Sequence, residues 1–319
     1  MLTFFSTPKP FRGHAGVIQR NALRSWKLVH PDAEVILFGD EEGAADAARE
    51  LGLRHVPQVQ LNEHGTKYLS PIFDRAQEIA RHDLLCYVNC DILLMADFRQ
   101  AVERVSRLRQ AFLMVGRRWD TDITEAWDFS GADWAKRLRD FALLHGKQRP
   151  QQWIDYFVFS RGLFYKNMPA FVIGRPGWDN WLVGQARASK ARVVDASPVV
   201  VAVHQNHDYS YHPDGEEGVW RGEEARRNYE LLGGWFNIFT VENATHRLTP
   251  AGMQRNPGRW FTPVKRFARG YANWVWIRLL RMTRPMRHRL GLRQQTLSGF
   301  LAKEKITSQP ARGTQARAE

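Results

Sequence analysis

The 319 residues carry 46 Lys and Arg against 33 Asp and Glu, for a net charge of +13, with 44% hydrophobic residues and twelve tryptophans. This composition excludes an intrinsically disordered chain and supports a large core in one domain or two. Two cysteines, Cys86 and Cys90, stand without framework spacing, which argues against a disulfide scaffold or zinc cage and for a reducing compartment. The charge is localised: from Pro250 onward there are 15 Lys and Arg against two Glu, the whole of the excess, and the part before it is balanced. Basicity therefore belongs to an appendage and says little about the chemistry of the main domain.

The opening M-L-T-F-F-S-T-P-K-P lacks a basic n-region and a long apolar stretch, so it does not read as a signal peptide. Residues 2–5 form a short apolar strand ended by Thr7-Pro8-Lys9-Pro10. From Gly16, Val17, Ile18, Ala22, Leu23, Trp26 and Val29 recur at helical spacing. Residues 34–38 make a second buried strand closing on Gly39-Asp40. The alanines of 44–48 and Leu51 give a helix with Gly52 as its C-terminal cap. A brief third strand at 55–57, a polar loop at 62–67 and a helix opened by Ser70-Pro71 follow. Residues 84–88, L-L-C-Y-V, form the fourth strand, buried on both faces.

This alternation over about ninety residues predicts an α/β fold with a mostly parallel sheet flanked by helices. No G-x-G-x-x-G follows the first strand and no Walker loop occurs, which argues against a Rossmann dehydrogenase or a P-loop enzyme. Further on, the pattern predicts a helix over 98–108 and a strand over 111–115. An irregular stretch begins at Arg117-Arg118-Trp119-Asp120. Beyond it come a helix around 134–144, a strand at 156–159 preceded by Asp155, a turn at 174–177, a helix from Trp178, and strands at 193–194 and 199–203.

Asn89 and Asp91 follow the fourth strand. Side chains two apart on extended chain face the same way, so both can reach the crevice at the carboxyl ends of parallel strands where ligands bind. The alternative is a plain polar turn. An oxygen donor here suits a hard divalent cation whose other positions are filled by phosphate and water.

The order of elements and the N-C-D-I-L-L sequence resemble the metal-binding D-x-D motif of GT-A-fold glycosyltransferases. The resemblance covers residues 1–245, and it extends in particular to a poorly characterised bacterial group of these enzymes. It implies a Rossmann-like GT-A domain over 1–249 and transfer of a hexose from a UDP- or GDP-sugar to a hydroxyl, with Mn²⁺ or Mg²⁺. The first Asp of the motif is Asn89 here, which removes one charge and leaves Asp91 as the ligand. The family's late metal-binding His matches His204, with His207 competing; both are otherwise ordinary loop histidines. The resemblance further implies nucleotide contacts from Thr7, Pro8 and Lys9, from Gly39 and Asp40, from Lys67, Ser70 and Asp74, and from Asn89. Arg12, Arg20 and Arg24 are candidate phosphate partners or else solvated surface arginines. Inverting members use a carboxylate as general base. Asp179, after the Gly-Arg-Pro-Gly turn and between Trp178 and Trp181, is the first candidate and Asp155 the second. Otherwise Asp179 is a helix N-terminal acid and the tryptophans are core, where the first reading has them stack on a sugar.

Residues 250–300 mix arginines with Phe261, Phe267, Tyr271, Trp274 and Trp276 and predict a basic amphipathic helical appendage lying on an anionic membrane surface, with 301–319 a disordered tail. That places the protein in the cytoplasm, peripheral on the inner membrane face, with a glycan or lipid-linked acceptor. RNA binding is the rival for this segment, and the balanced main domain argues against nucleic acid; an ordinary basic tail that packs on a partner is the third reading. Two further readings of the whole chain stay open. Gly39-Asp40 and Asn206-His207-Asp208 resemble metallophosphoesterase boxes, and Asn89 is compatible with an inactive binding protein.

Overall fold

Strand β1 (Thr3–Ser6) has four buried residues in a row, because it lies inside a sheet covered on both faces. It belongs to a computed structural model in which residues 1–209, 212–234 and 237–256 are described. After it come α1 (Gly13–Val29), β2 (Glu34–Phe38), α2 (Ala44–Leu51), β3 (Arg54–Val56), α3 (Leu69–Ile79) and β4 (Leu84–Val88), in the order expected from the sequence. There follow β5 (Ile92–Leu93), α4 (Ala96–Val105), β6 (Phe112–Thr121), α5 (Trp134–His145), β7 (Lys147–Gln148) and β8 (Ile154–Ser160). The remaining elements are α6 (Trp178–Ala188), β9 (Arg192–Asp195), β10 (Ala202–Gln205), α7 (Gly215–Arg221), α8 (Glu223–Leu231), β11 (His246–Thr249) and β12 (Gly252–Arg255).

Among the described residues the main sheet runs β12-β11-β9-β6-β8-β4-β1-β2-β3. Strands β4, β1, β2 and β3 are parallel, as are β6, β9 and β11. Strand β8 lies antiparallel between β4 and β6. The fold is α/β, with a mostly parallel central sheet flanked by helices. Alternation along the strands feeds two cores. Phe4, Cys86, Met114 and Val158 enter one, with Trp26 of α1 and Phe98 of α4. Phe5, Tyr87, Leu113 and Phe157 enter the other, with Phe73 of α3 and Leu182 of α6. Each such side chain contributes roughly 1.5–3 kcal/mol by leaving water.

Two strand expectations are corrected. Strand β6 does not stop near Val115 but continues through Arg118 and Asp120 to Thr121. Its first half pairs with β9 and its second with β10 and β7. Gly116 is the joint: a Cβ there would overlap the Tyr156 hydroxyl and meet the Ser197 nitrogen at 3.2 Å, and the ladder to β8 shifts register at this point. Residues 199 and 200 are likewise not strand, because both amides bond back to the Ala196 carbonyl in a turn. The strand starts at Ala202, so His204 lies within it and does not follow it.

The hairpin β11–β12 carries the sheet on to Arg255, past the point at which the composition turns basic. The surface segment and tail expected over 250–300 and 301–319 lie, from residue 257 on, outside the described residues. No helix among the described residues is long and apolar enough to cross a membrane.

Candidate active site

Asn89 to Asp91 form the elbow between β4 and the short β5. The Ile92 amide bonds to the Asn89 carbonyl at 3.1 Å, and β5 then pairs antiparallel with β10. That pairing sets His204 opposite Ile92, beside Asp91. The Asp91 carboxylate lies 3.3 Å from His207 Nε2 and 3.9 Å from His204 Nε2. One ligand atom from each of the three residues falls within 4.8 Å of the others. Asp91 Oδ1 is buried with no hydrogen-bond partner among the described residues. Burial pushes this carboxyl up, but His204, His207 and Lys9 outweigh it and hold the group well below the usual carboxylate range. A carboxylate and two imidazoles suit Mn²⁺ or a similar divalent ion, which Asp91, His204 and His207 would hold.

Helix α1 holds the three loops of this site through polar side chains on its buried face. Gln19 clamps Lys9, accepting from its amide at 2.6 Å and donating to its carbonyl at 2.9 Å. Asn21 donates to Gln205 Oε1 at 2.9 Å, and Gln205 in turn donates to the Asp91 carbonyl at 3.1 Å. His14 Nε2 meets the Asn206 carbonyl at 3.0 Å. Lys9 Nζ thereby comes within 3.0 Å of His207 Nε2. Burial lowers the Lys9 pKa, against the pull of Asp91 and Asp208.

The second half of β6 supplies residues that sequence reasoning missed. Parallel pairing with β10 puts Asp120 beside His204, with 3.3 Å between Oδ1 and Nδ1. Arg118, two residues back on the same face, donates to Asp120 at 2.8 Å and to Asp155 at 2.8 Å. Trp153 carries the Arg118 and Arg149 guanidinium groups over its ring at 4.7 and 4.3 Å. The available signal was Arg118-x-Asp120, with the same two-residue spacing as Asn89-x-Asp91. Asn89 turns its amide to Asp155 Oδ1 at 2.6 Å. Asp155 itself sits inside β8, not ahead of it, with both carboxylate oxygens engaged.

The residues expected at the nucleotide divide into two groups. Thr7, Pro8, Lys9, Gly39 and Lys67 come together. Lys67 Nζ donates to the Pro8 carbonyl at 3.1 Å and pairs with Glu41, a residue not foreseen, and Gly39 packs against both side chains. Thr7 Oγ1 is buried without a hydrogen-bond partner among the described residues. Asp40 is exposed, and Glu41 takes the place at Lys67. Ser70 is half-buried in the first turn of α3, whereas Asp74 accepts from the Lys166 amide at 2.7 Å and so anchors the loop after β8. The helix arginines are surface pairs: Arg20 and Arg24 with Glu50, Arg12 with Glu42.

Asp179 lies in the first turn of α6 and accepts from the Gly177 amide at 3.2 Å. Burial pushes its carboxyl up to about 7, with the Asp155 charge adding to the rise, although backbone amides at the helix start pull the other way. The flanking tryptophans pack on the core, Trp178 buried and Trp181 partly buried. Trp178 stands edge-on to Tyr87 at 5.3 Å, and Trp181 packs on Phe164 and Phe171 in the same core. Their apolar neighbours on β4, β8 and the segment after β8 draw them inward.

No protein-family model matches the chain, and a search of curated proteins returns no match. Among solved structures it is similar to glucosyl-3-phosphoglycerate synthase of Mycobacterium tuberculosis in complex with Mn²⁺, UDP and phosphoglyceric acid. That match has a TM-score of 0.42 and 14% identity, covering 73% of this chain and 77% of the other. S. aureus TarS matches with a TM-score of 0.41 and 10% identity, over 64% of this chain and 36% of TarS. A mannosyltransferase of Pyrobaculum calidifontis in complex with GDP-Man and Mn²⁺ matches with a TM-score of 0.39 and 11% identity, over 64% and 56%. Likeness at this level says nothing of this chain's substrate, and what the site can do rests on its own residues.

Proposed function

We propose that the protein is a metal-dependent glycosyltransferase, moving a hexose from a UDP- or GDP-sugar to a hydroxyl of a glycan or lipid-linked acceptor. The observation that carries this reading is the convergence of Asp91, His204 and His207 beside Lys9, at the carboxyl ends of parallel strands. When bound there, a divalent cation supplies positive charge that neutralises the departing diphosphate. Lys9 adds its ammonium next to the same point, and Thr7, Pro8, Gly39 and Lys67 cradle the nucleotide side. Asp179, with a carboxyl near pH 7, takes the proton of the acceptor hydroxyl. The hydroxyl oxygen then bonds to the anomeric carbon as that carbon's bond to the diphosphate oxygen breaks. The nucleoside diphosphate leaves with the electron pair.

The phosphoesterase reading needs Asp40 in the metal cluster. Among the described residues the grouping with metal-ligand spacing is Asp91, His204 and His207, and Asp40 is exposed elsewhere. For the acceptor, the 15 Lys and Arg from Pro250 onward, interleaved with aromatics, support docking on an anionic membrane at the cytoplasmic face.

Nucleoside diphosphate release from a panel of UDP- and GDP-sugars, with Mn²⁺ and then with EDTA, tests the reaction. Turnover with one donor, lost in EDTA and in Asp91→Ala, is the expected result. Neither turnover nor binding with any donor would favour the inactive-protein reading. Sedimentation of full-length protein with phosphatidylglycerol vesicles and not with phosphatidylcholine vesicles is expected for the tail, and equal sedimentation would reject the membrane role.

A further inference from the structure

We infer that Asp120 is the positioning residue of the metal site, fixing His204 so that Nε2 is the ligand atom and Nδ1 carries the proton. The inference rests on the metal reading above and deepens it. His204 Nδ1 is buried with no hydrogen bond formed among the described residues, and the acceptor nearest to hand is Asp120 Oδ1 at 3.3 Å, on the side of the ring away from Asp91, which faces Nε2 at 3.9 Å. Two strand pairings hold the imidazole between these acids, because His204 is the register partner of Asp120 on β6 and of Ile92 on β5.

A carboxylate at Nδ1 favours the tautomer with its proton there, leaving the Nε2 lone pair for a cation. The carboxylate is itself held by two arginines. Arg118 Nε donates to Oδ1 at 2.8 Å, Arg149 Nε lies 3.3 Å from Oδ2, and the ring of Trp153 supports both guanidinium groups. Arg118 is anchored at its other end by Asp155 at 2.8 Å. A metal-binding imidazole needs an acceptor behind it, because rotation of the ring or a shifted proton removes the lone pair from the site. His207 is likewise held at Nδ1, which is 2.7 Å from the Asp208 carbonyl, while its Nε2 faces both Asp91 at 3.3 Å and Lys9 Nζ at 3.0 Å.

The test compares Mn²⁺ affinity of wild type, Asp120→Asn and Asp120→Glu, read from the free Mn²⁺ electron paramagnetic resonance signal. Asp128→Asn, which alters an exposed carboxylate, is the control. A loss of about 10–100-fold in Asp120→Asn, with partial recovery in Asp120→Glu and none lost in the control, is expected. Affinity unchanged in a folded Asp120→Asn overturns the inference while leaving the metal site standing. No Mn²⁺ binding by wild type removes the metal reading and the inference with it. Should Asp120→Asn not fold, the wild-type protein still decides: two-bond ¹⁵N–¹H spectra, with His204 assigned by its loss in His204→Gln, are expected to show the Nδ1–H tautomer. The Nε2–H tautomer would overturn the proposal.

Discussion

Arg118 holds the Asp155 carboxylate at 2.8 Å, and the pair is nearly closed to solvent. Asn89 takes the other oxygen at 2.6 Å, so Asp155 is a strut between β4, β6 and β8 and not an available base. Asp155→Asn should therefore act on stability. Breaking a buried pair leaves a guanidinium short of a partner, and the expected cost is about 3 kcal/mol in urea denaturation. Turnover per folded molecule should change far less than in Asp179→Asn.

Asp179→Asn should abolish transfer and yet stabilise the fold in alkaline solution. The carboxyl titrates near 7 when folded and near 3.8 when not, so between those values the folded form holds more protons. Stability from this group therefore falls as pH rises from about 4 to 7, and the full penalty stands above 7. Asparagine removes that penalty and can still accept from the Gly177 amide. The expected gain at pH 8 is about 2–4 kcal/mol in thermal or urea unfolding, and none at pH 4. In wild type, kcat should rise about tenfold per pH unit below 7 and level off above it.

Mn²⁺ should raise the unfolding midpoint of the protein. Binding to the folded state alone stabilises by about 2.7 kcal/mol at a metal concentration 100 times the Kd. Asp91→Ala and His204→Ala should lose this shift, as seen by scanning calorimetry with and without EDTA. Asp40→Ala should keep it.

Gly39 has φ of +112°, and a Cβ there would overlap the Glu41 carboxylate and approach Lys67 Cε to 2.8 Å. Gly39→Ala therefore meets both backbone strain and a displaced Lys67–Glu41 pair. The expected result is a loss of about 1–3 kcal/mol in stability and a raised KM for the donor. Mn²⁺ affinity should be unchanged, since the ligands sit on other loops.

The sequence by itself determined the βα alternation, the burial of β1, β2 and β4, and the placing of Asn89-Cys90-Asp91 at a strand end. All of these follow from local periodicity, since a run of apolar residues or a two-residue spacing carries its own geometry. It also brought His204 and His207 into view, though only beside the resemblance, because nothing local ties a histidine to an acid on a distant strand. The tertiary structure supplied the rest. Gly116 lets β6 leave β9 for β10, and that change of partner sets Asp120 and Arg118 against His204, where the sequence alone showed an irregular stretch. Trp178 and Trp181 went to the core and Asp155 to an ion pair for the same reason. A side chain's periodicity tells which face it takes, but its partner depends on which strand or helix arrives there, and that is a property of register and packing across the whole chain.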